Sequence, residues 1–121
     1  MNFQFKIDNP DANSRKLECE KILAQCPDKI PVILEKDPDC KIEPLDKTKF
    51  LVPLQFKSSQ FASMIRKKFS ISEEQAFYLL INGRHTLTGD RCMAEVYEKY
   101  KDKEDGFLYI TYSSELTWGK N

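Results

Sequence analysis

The amino-acid sequence predicts an α+β fold: a four-stranded mixed sheet crossed by one helix, with a further helical segment at the amino terminus. Three observations carry this expectation. The last apolar run, Phe107-Leu-Tyr-Ile-Thr-Tyr112, is rich in aromatic and β-branched residues and free of Pro, the composition of a strand. Alternate side chains point to opposite faces, and neither Phe107, Tyr109 and Thr111 on one side nor Leu108, Ile110 and Tyr112 on the other carries charge. Both faces are therefore covered, and the strand is interior rather than an edge. Finally, two earlier β-branched runs are separated by turn residues and followed by a helical stripe, a hairpin and the helix that crosses it.

Each element has its own local signal. Residues 10–26 read as a helix that Asn9 caps, with Pro10 at the first helical position and Pro27 at its end. Cys19, Ile22, Leu23 and Cys26 fall at i, i+3, i+4 and i+7, one apolar stripe flanked by Glu18. Phe3, Phe5 and Ile7 precede it and add either a turn or an extended arm. Lys29-Ile-Pro-Val-Ile-Leu-Glu35 is the first strand; Pro31 lacks an N–H and must sit at an edge or where its N–H would face no neighbour. Lys49-Phe-Leu-Val-Pro53 is the second, and Asp37-Pro-Asp and Leu45-Asp-Lys-Thr between them supply turn residues.

Ser58 or Ser59 caps the next helix, with Phe61, Ile65 and Phe69 as its buried stripe, Met64 beside it, and Arg66, Lys67 and Lys68 complementing the dipole of the last turn. Ser72-Glu-Glu-Gln75 matches a capping box, predicting one helical turn that runs into a strand, Ala76-Phe-Tyr-Leu-Leu-Ile81, closed by Asn82-Gly83. Asp90 caps a short helix carrying Met93, Val96, Tyr97 and Tyr100. The order matches a β-grasp sheet. One helix covers one face of such a sheet; the amino-terminal helix is the spare element for the other. The expected organisation is one domain: residues 1–26 as a helical extension, 27–112 as the core, and 113–121 as a flexible tail.

Bulk properties exclude several classes. At 121 residues the chain can build one core without staples, and 19 basic against 19 acidic residues leave no bulk field for nucleic acid. No apolar stretch approaches the ~20 residues that span a bilayer, and the amino terminus lacks signal-peptide character and a Gly at position 2. Cys19, Cys26, Cys40 and Cys92 contain no C-x-x-C pair and read as free thiols, so the expectation is a soluble, cytosolic monomer without cofactor or metal.

Several blocks, in order, carry a resemblance: Cys26-Pro-Asp-Lys-Ile-Pro-Val-Ile-Leu-Glu35, Leu45-Asp-Lys-Thr-Lys-Phe-Leu-Val-Pro53, Ile65-Arg-Lys-Lys68, Gln75-Ala-Phe-Tyr-Leu-Leu-Ile-Asn-Gly83, Asp105-Gly-Phe-Leu-Tyr109 and Thr117-Trp-Gly119. Together they resemble the autophagy ubiquitin-like modifiers, with the microtubule-associated protein light chain three branch nearer than the GABARAP branch, over about residues 15–119. The resemblance implies a ubiquitin-like β-grasp core and conjugation rather than catalysis. It implies that a cysteine protease cuts after Gly119 and removes Lys120-Asn121, and that E1-like and E2-like enzymes then join Gly119 to phosphatidylethanolamine on autophagosomal membranes. Gly lacks a Cβ, which suits a tail threaded through narrow active-site channels.

The resemblance also implies capture of cargo-receptor peptides with an aromatic residue and, three positions on, an aliphatic one. Such a peptide adds a strand to the edge at residues 49–52. Its aromatic pocket maps to Glu18, Ile22, Pro31, Ile33, Lys49, Leu51 and Phe107. The aliphatic pocket maps to Phe50, Val52, Pro53, Phe61, Met64 and Ile65, and Lys68 meets acidic flanks of the peptide. Phe50 and Leu51 cannot both be core on one alternating strand, so at least one apolar side chain there is expected to be exposed. The chain departs from the family at Trp118, where Phe is usual before the scissile Gly, and at Lys68, a point charge in place of a forked Arg. The loop at 99–105 is one residue longer than the light-chain pattern, and the paired arginines of that branch's amino-terminal arm are absent. A non-conjugated ubiquitin-like peptide-binding adaptor is the alternative function. An enzyme pairing a cysteine with the single histidine, His85, matches no cysteine hydrolase pattern.

Overall fold

The computed structural model describes residues 2–115. Its elements are α1 (Gln4–Asp8), α2 (Ala12–Gln25), β1 (Lys29–Lys36), β2 (Lys49–Pro53), α3 (Ser58–Lys68), β3 (Tyr78–Ile81), β4 (His85–Thr86), α4 (Met93–Tyr100) and β5 (Leu108–Ser113). The sheet runs β2-β1-β5-β3-β4, with β1 and β5 parallel and the other pairs antiparallel. This is the mixed β-grasp arrangement, with β5 at the centre and all six of its residues buried.

The strand count is five rather than four. The additional strand, β4, is two residues long, too short for any alternation pattern, and exists because Asn82 (φ 55°) and Gly83 (φ 71°) turn the chain back onto β3. Two adjacent positive φ values suit the hairpin turn that an Asn-Gly pair favours. The helical turn expected at residues 72–75 is a plain turn closed by the Gln75 N–H on the Ser72 carbonyl at 3.0 Å, and β3 starts at Tyr78 rather than Ala76.

Three caps also differ. The α2 cap is Asp11, which accepts from the Asn13 N–H, because α1 ends at Asn9 and uses that residue's N–H on Phe5. The N-cap position of α3 is Lys57, since the Ser58 hydroxyl is committed to the Gly89 carbonyl and the Arg91 N–H. Cys92 precedes α4, while Asp90 accepts from Ser59 instead. At Ser58 and Asp90 a tertiary partner outbids the local one, whereas Asn9 is taken by the end of the preceding helix.

Two buried clusters lie on opposite faces of the sheet. On one, Leu108, Ile110 and Tyr112 of β5 pack with Phe50, Val52, Phe61, Ile65, Met93 and Val96 from β2, α3 and α4. On the other, Phe107 and Tyr109 join Ile33, Cys19 of α2 and two aromatics from the amino-terminal arm, Phe3 and Phe5. The second cover therefore comes from α1 as well as α2: Phe3 meets the Tyr109 ring edge-on at 5.0 Å and Phe5 meets Phe107 at 5.2 Å.

Polar anchors hold this cover down. Glu35 shares the face of Pro31 and Ile33 by strand alternation. Its nearly buried carboxylate accepts from the Gln4 and Phe5 N–H groups at 2.7 and 2.9 Å, satisfying donors that the first turn of α1 leaves open. Asp105, 2% exposed, accepts from Arg15 of α2 (2.8 Å), the Tyr109 hydroxyl (2.6 Å) and the Phe107 N–H (2.9 Å).

Candidate functional site

The open edge of β2 is the natural starting point. Hydrogen bonds from Leu34 to Thr48 and from Leu54 to Asp28 fix which residue pairs of the hairpin exchange bonds. With Val32 opposite Phe50 and Ile30 opposite Val52, alternation leaves Lys49 and Leu51 in the non-bonded pairs, opposite Ile33 and Pro31. Two consequences follow. Pro31 sits where no N–H is asked for by β2, and β1 pairs with β5 only from Val32 onward, which reconciles a proline with an interior strand. The backbone groups of Lys49 and Leu51 point outward, away from β1, where no strand stands among the described residues. That edge can accept an added strand.

Side chains alternate accordingly. Phe50 and Val52 point into the α3 face and are buried, whereas Lys49 and Leu51 point to the α2 face and are exposed, Leu51 by 43%. The aromatic-pocket set converges there. Ile33 and Phe107 share a buried cluster against which Ile22 packs, Pro31 and Leu51 are register partners, and Lys49 forms an ion pair with Glu18 of α2. The ammonium of Lys49 also lies 5.3 Å from the centre of the Phe5 ring. Phe5 is thus a member of this site that sequence reasoning missed. Its only signal was the Phe-x-Phe spacing with Phe3, which does not suit one face of a helix; the pair reaches one face because Phe3 is still extended (ψ 135°) when α1 begins.

The aliphatic set is brought together as well, but mostly as core. Phe50, Val52, Phe61 and Ile65 are 3% exposed or less. Only Met64 and Pro53 leave surface beside them. Any aliphatic side chain seated here rests on Met64 and Pro53 or enters by moving α3. Lys68 stands close by, its ammonium 5.7 Å from the Phe50 ring, and Lys47 approaches the same ring at 5.4 Å. Exposed cations over an aromatic floor suit an acidic peptide flank.

The conjugation residues Trp118, Gly119 and Lys120 lie outside the described residues. Among the described residues all four cysteines are free, and no three His, Cys, Asp or Glu side chains converge to hold a metal. Burial pushes the Cys19 thiol up to about 11, keeping it protonated near neutral pH. No described helix is long and apolar enough to cross a membrane.

Known proteins resemble the chain over most of its length. The family model described as "Autophagy protein Atg8 ubiquitin like" matches residues 14–119. The chain is 46% identical over 106 residues to human microtubule-associated protein 1 light chain 3 gamma, covering 87% of this chain and 71% of that protein. It is 45% identical over 115 residues to autophagy-related protein 8e of Arabidopsis thaliana, covering 95% of this chain and 92% of that one. The crystal structure of Trypanosoma brucei ATG8 superposes with a TM-score of 0.88 at 37% identity, covering 98% of this chain and all of the other.

Proposed function

The chain belongs to the Atg8 family of autophagy ubiquitin-like proteins, and from that premise we propose that it is a conjugated modifier and not an enzyme. A cysteine protease cuts after Gly119, and E1-like and E2-like enzymes join the new carboxyl terminus to phosphatidylethanolamine. The chain then moves from the cytoplasm to the autophagosome membrane, where it recruits cargo receptors bearing aromatic-x-x-aliphatic motifs. The observation that carries the recruiting role is the unpaired edge of β2, which offers the backbone of Lys49 and Leu51 beside an exposed Leu51 side chain.

In this reading the peptide backbone pairs with Lys49 and Leu51, and its aromatic side chain displaces Lys49 from over Phe5 to reach Ile33 and Phe107. Glu18 then orients the displaced ammonium, whose stem covers the ring. The aliphatic residue sits on Met64 and Pro53, and acidic neighbours meet Lys68. The organisation is one domain with a conjugation tail that leaves after Ser113, the buried last residue of β5.

Two measurements test the two halves separately. Mass spectrometry of the cellular protein should find loss of Lys120 and Asn121, then a phosphatidylethanolamine adduct on Gly119 during starvation. Finding only chain that ends in Asn121 removes conjugation and leaves a peptide-binding adaptor. For the groove, Leu51→Ala removes a half-exposed side chain worth about 1 kcal/mol when covered, roughly a five-fold loss of affinity. Calorimetric titration with an aromatic-x-x-aliphatic peptide should show that loss, while Gly119→Ala binds like the parent; the reverse pattern discards the groove assignment.

A further inference from the structure

A second cleft lies on the side of the sheet away from β2. It has a volume of about 420 Å³, within the usual range for ligand sites, and is lined by Asn2, Phe3, Lys6 and Ile7 of the amino-terminal arm and by Asn82, Arg84, His85 and Tyr109. The Asn82-Gly83 turn creates it, because the two positive φ values fold β4 back and leave Arg84 and His85 at the rim facing α1. The floor is aromatic: the Phe3 and Tyr109 rings meet edge-on, and the Lys6 ammonium lies 4.7 Å from the centre of the Tyr109 ring. Ile7, 55% exposed, forms an apolar wall.

The two charged side chains that line the cleft, Lys6 and Arg84, are both cations. Lys6 is held by Asp102 at 2.6 Å yet keeps about a third of its side chain exposed. Arg84 is exposed and has no ion pair or hydrogen bond from its side chain among the described residues, and His85 stands 5.6 Å from the Tyr100 ring. Arg91, just before α4, and Lys99 within it approach that same ring at 5.8 and 5.3 Å, while Glu95 and Glu98 also lie on that helix. In a chain of balanced charge, the two lining cations are a local surplus. An unpaired guanidinium presents a forked set of donors that matches a carboxylate.

We propose that this cleft docks a short acidic segment of a partner protein, with one apolar side chain on Phe3, Tyr109 and Ile7 and carboxylates on Arg84 and the Lys6 side. The preference for a peptide over an anionic lipid rests on the proposed attachment through Gly119. Tyr109 is near the start of β5 and the tail leaves from its far end at Ser113, about 13 Å along the strand at ~3.3 Å per residue. The cleft therefore lies toward the end of the sheet opposite the one where β5 ends. Its Tyr109 floor on β5 is separated from β2 by β1, and its His85 rim on β4 by three strands, so the cleft and the β2 edge do not overlap.

The test uses the full chain and an acetylated, amidated peptide, Glu-Asp-Leu-Glu-Glu, which has no aromatic residue for the β2 edge. Two-dimensional amide NMR titration should move Lys6, Asn82, Arg84 and His85 and leave residues 49–52 in place. Arg84→Glu should weaken the peptide at least ten-fold, whereas the same charge reversal at exposed Lys21 should change it less than two-fold. Leu51→Ala, which weakens binding at the β2 edge, should leave this titration unchanged, so failure of one site is distinguishable from failure of the other. Shifts confined to 49–52, equal losses in the Arg84 and Lys21 variants, or no binding at millimolar peptide overturn the proposal. Arg84-dependent sedimentation with phosphatidylserine vesicles, without peptide binding, also overturns it and assigns the cleft to a lipid headgroup.

Discussion

Replacing Asp105 with Ala tests how the amino-terminal cover is held to the sheet. The carboxylate is 2% exposed and accepts three bonds, from Arg15, Tyr109 and the Phe107 N–H. The Arg15 side chain is itself only 5% exposed, so its screening by water is slight. Removing the acid leaves a buried guanidinium whose remaining described bond is the one to the Asn9 carbonyl, at 2.7 Å. Breaking one partner of a buried pair costs about 3–5 kcal/mol; the surviving Asn9 bond places this case near the lower end. A domain of this size has ~5–15 kcal/mol in hand, so the variant loses a fifth or more of its stability. At a urea slope of about 2 kcal/mol/M, the unfolding midpoint followed by far-ultraviolet circular dichroism should fall by ~1.5 M. Arg15→Met on the Asp105→Ala background should recover part of the loss, because no unpaired charge then remains buried. A shift under ~0.5 M, or two single losses that simply add in the double variant, refutes the coupled-pair account.

Three further outcomes are expected. Burial pushes the Asp102 carboxyl up, but bonds from Lys6 and from the Glu104 and Asp105 N–H groups outweigh it and leave its pKa below the ordinary 3.8. Its contribution is thus complete above that value and lost as pH falls through the lowered one, so the stability gap between parent and Asp102→Asn should be constant near pH 6 and close toward pH 2 in parallel denaturation series. Gly106 has φ +86°, and an added Cβ would meet the Cys19 sulfur at 3.1 Å, whereas Gly89 (φ +72°) has open space around it. Gly106→Ala should therefore cost more than the ~1 kcal/mol of left-handed strain expected at Gly89, and equal thermal shifts for the two would contradict the packing argument. Because the Cys19 thiol is buried and raised to about 11, iodoacetamide at pH 8 should label it last, after the half-buried Cys26 and Cys92; early labelling of Cys19 in mass-spectrometric peptide maps would refute its burial between α2 and the sheet.

How far the fold could be read beforehand depended on whether its signals were local. The uncharged alternation of residues 107–112 announced a central strand because every side chain there is buried. The β2 alternation likewise required one exposed apolar residue, and Leu51 is it. By contrast, β4 has two residues and α1 five, too few for a period to show. The caps at Ser58 and Asp90 were misplaced because distant partners, Gly89 and Ser59, claim those groups, and the one at Asn9 because that residue closes α1 instead. Phe5 went unread for the same reason. Its role at the Lys49 site depends on Glu35, thirty residues away, which ties down the first turn of α1.

The position of β5 has a consequence for the order of events during synthesis. β1 and β3 each pair with β5 and not with one another, so the β1–β2 and β3–β4 hairpins stay unjoined until the last strand is made. Contacts this remote in sequence close late and slowly. Translation proceeds from the amino terminus at ~5–20 residues per second, so Gly119 is added within about a second of the strand that completes the sheet. Any nascent chain stopped before residue 108 therefore lacks the centre of the sheet, and its two hairpins have no common strand to join them. Placing the last strand in the middle makes the whole sheet wait for residues 108–113.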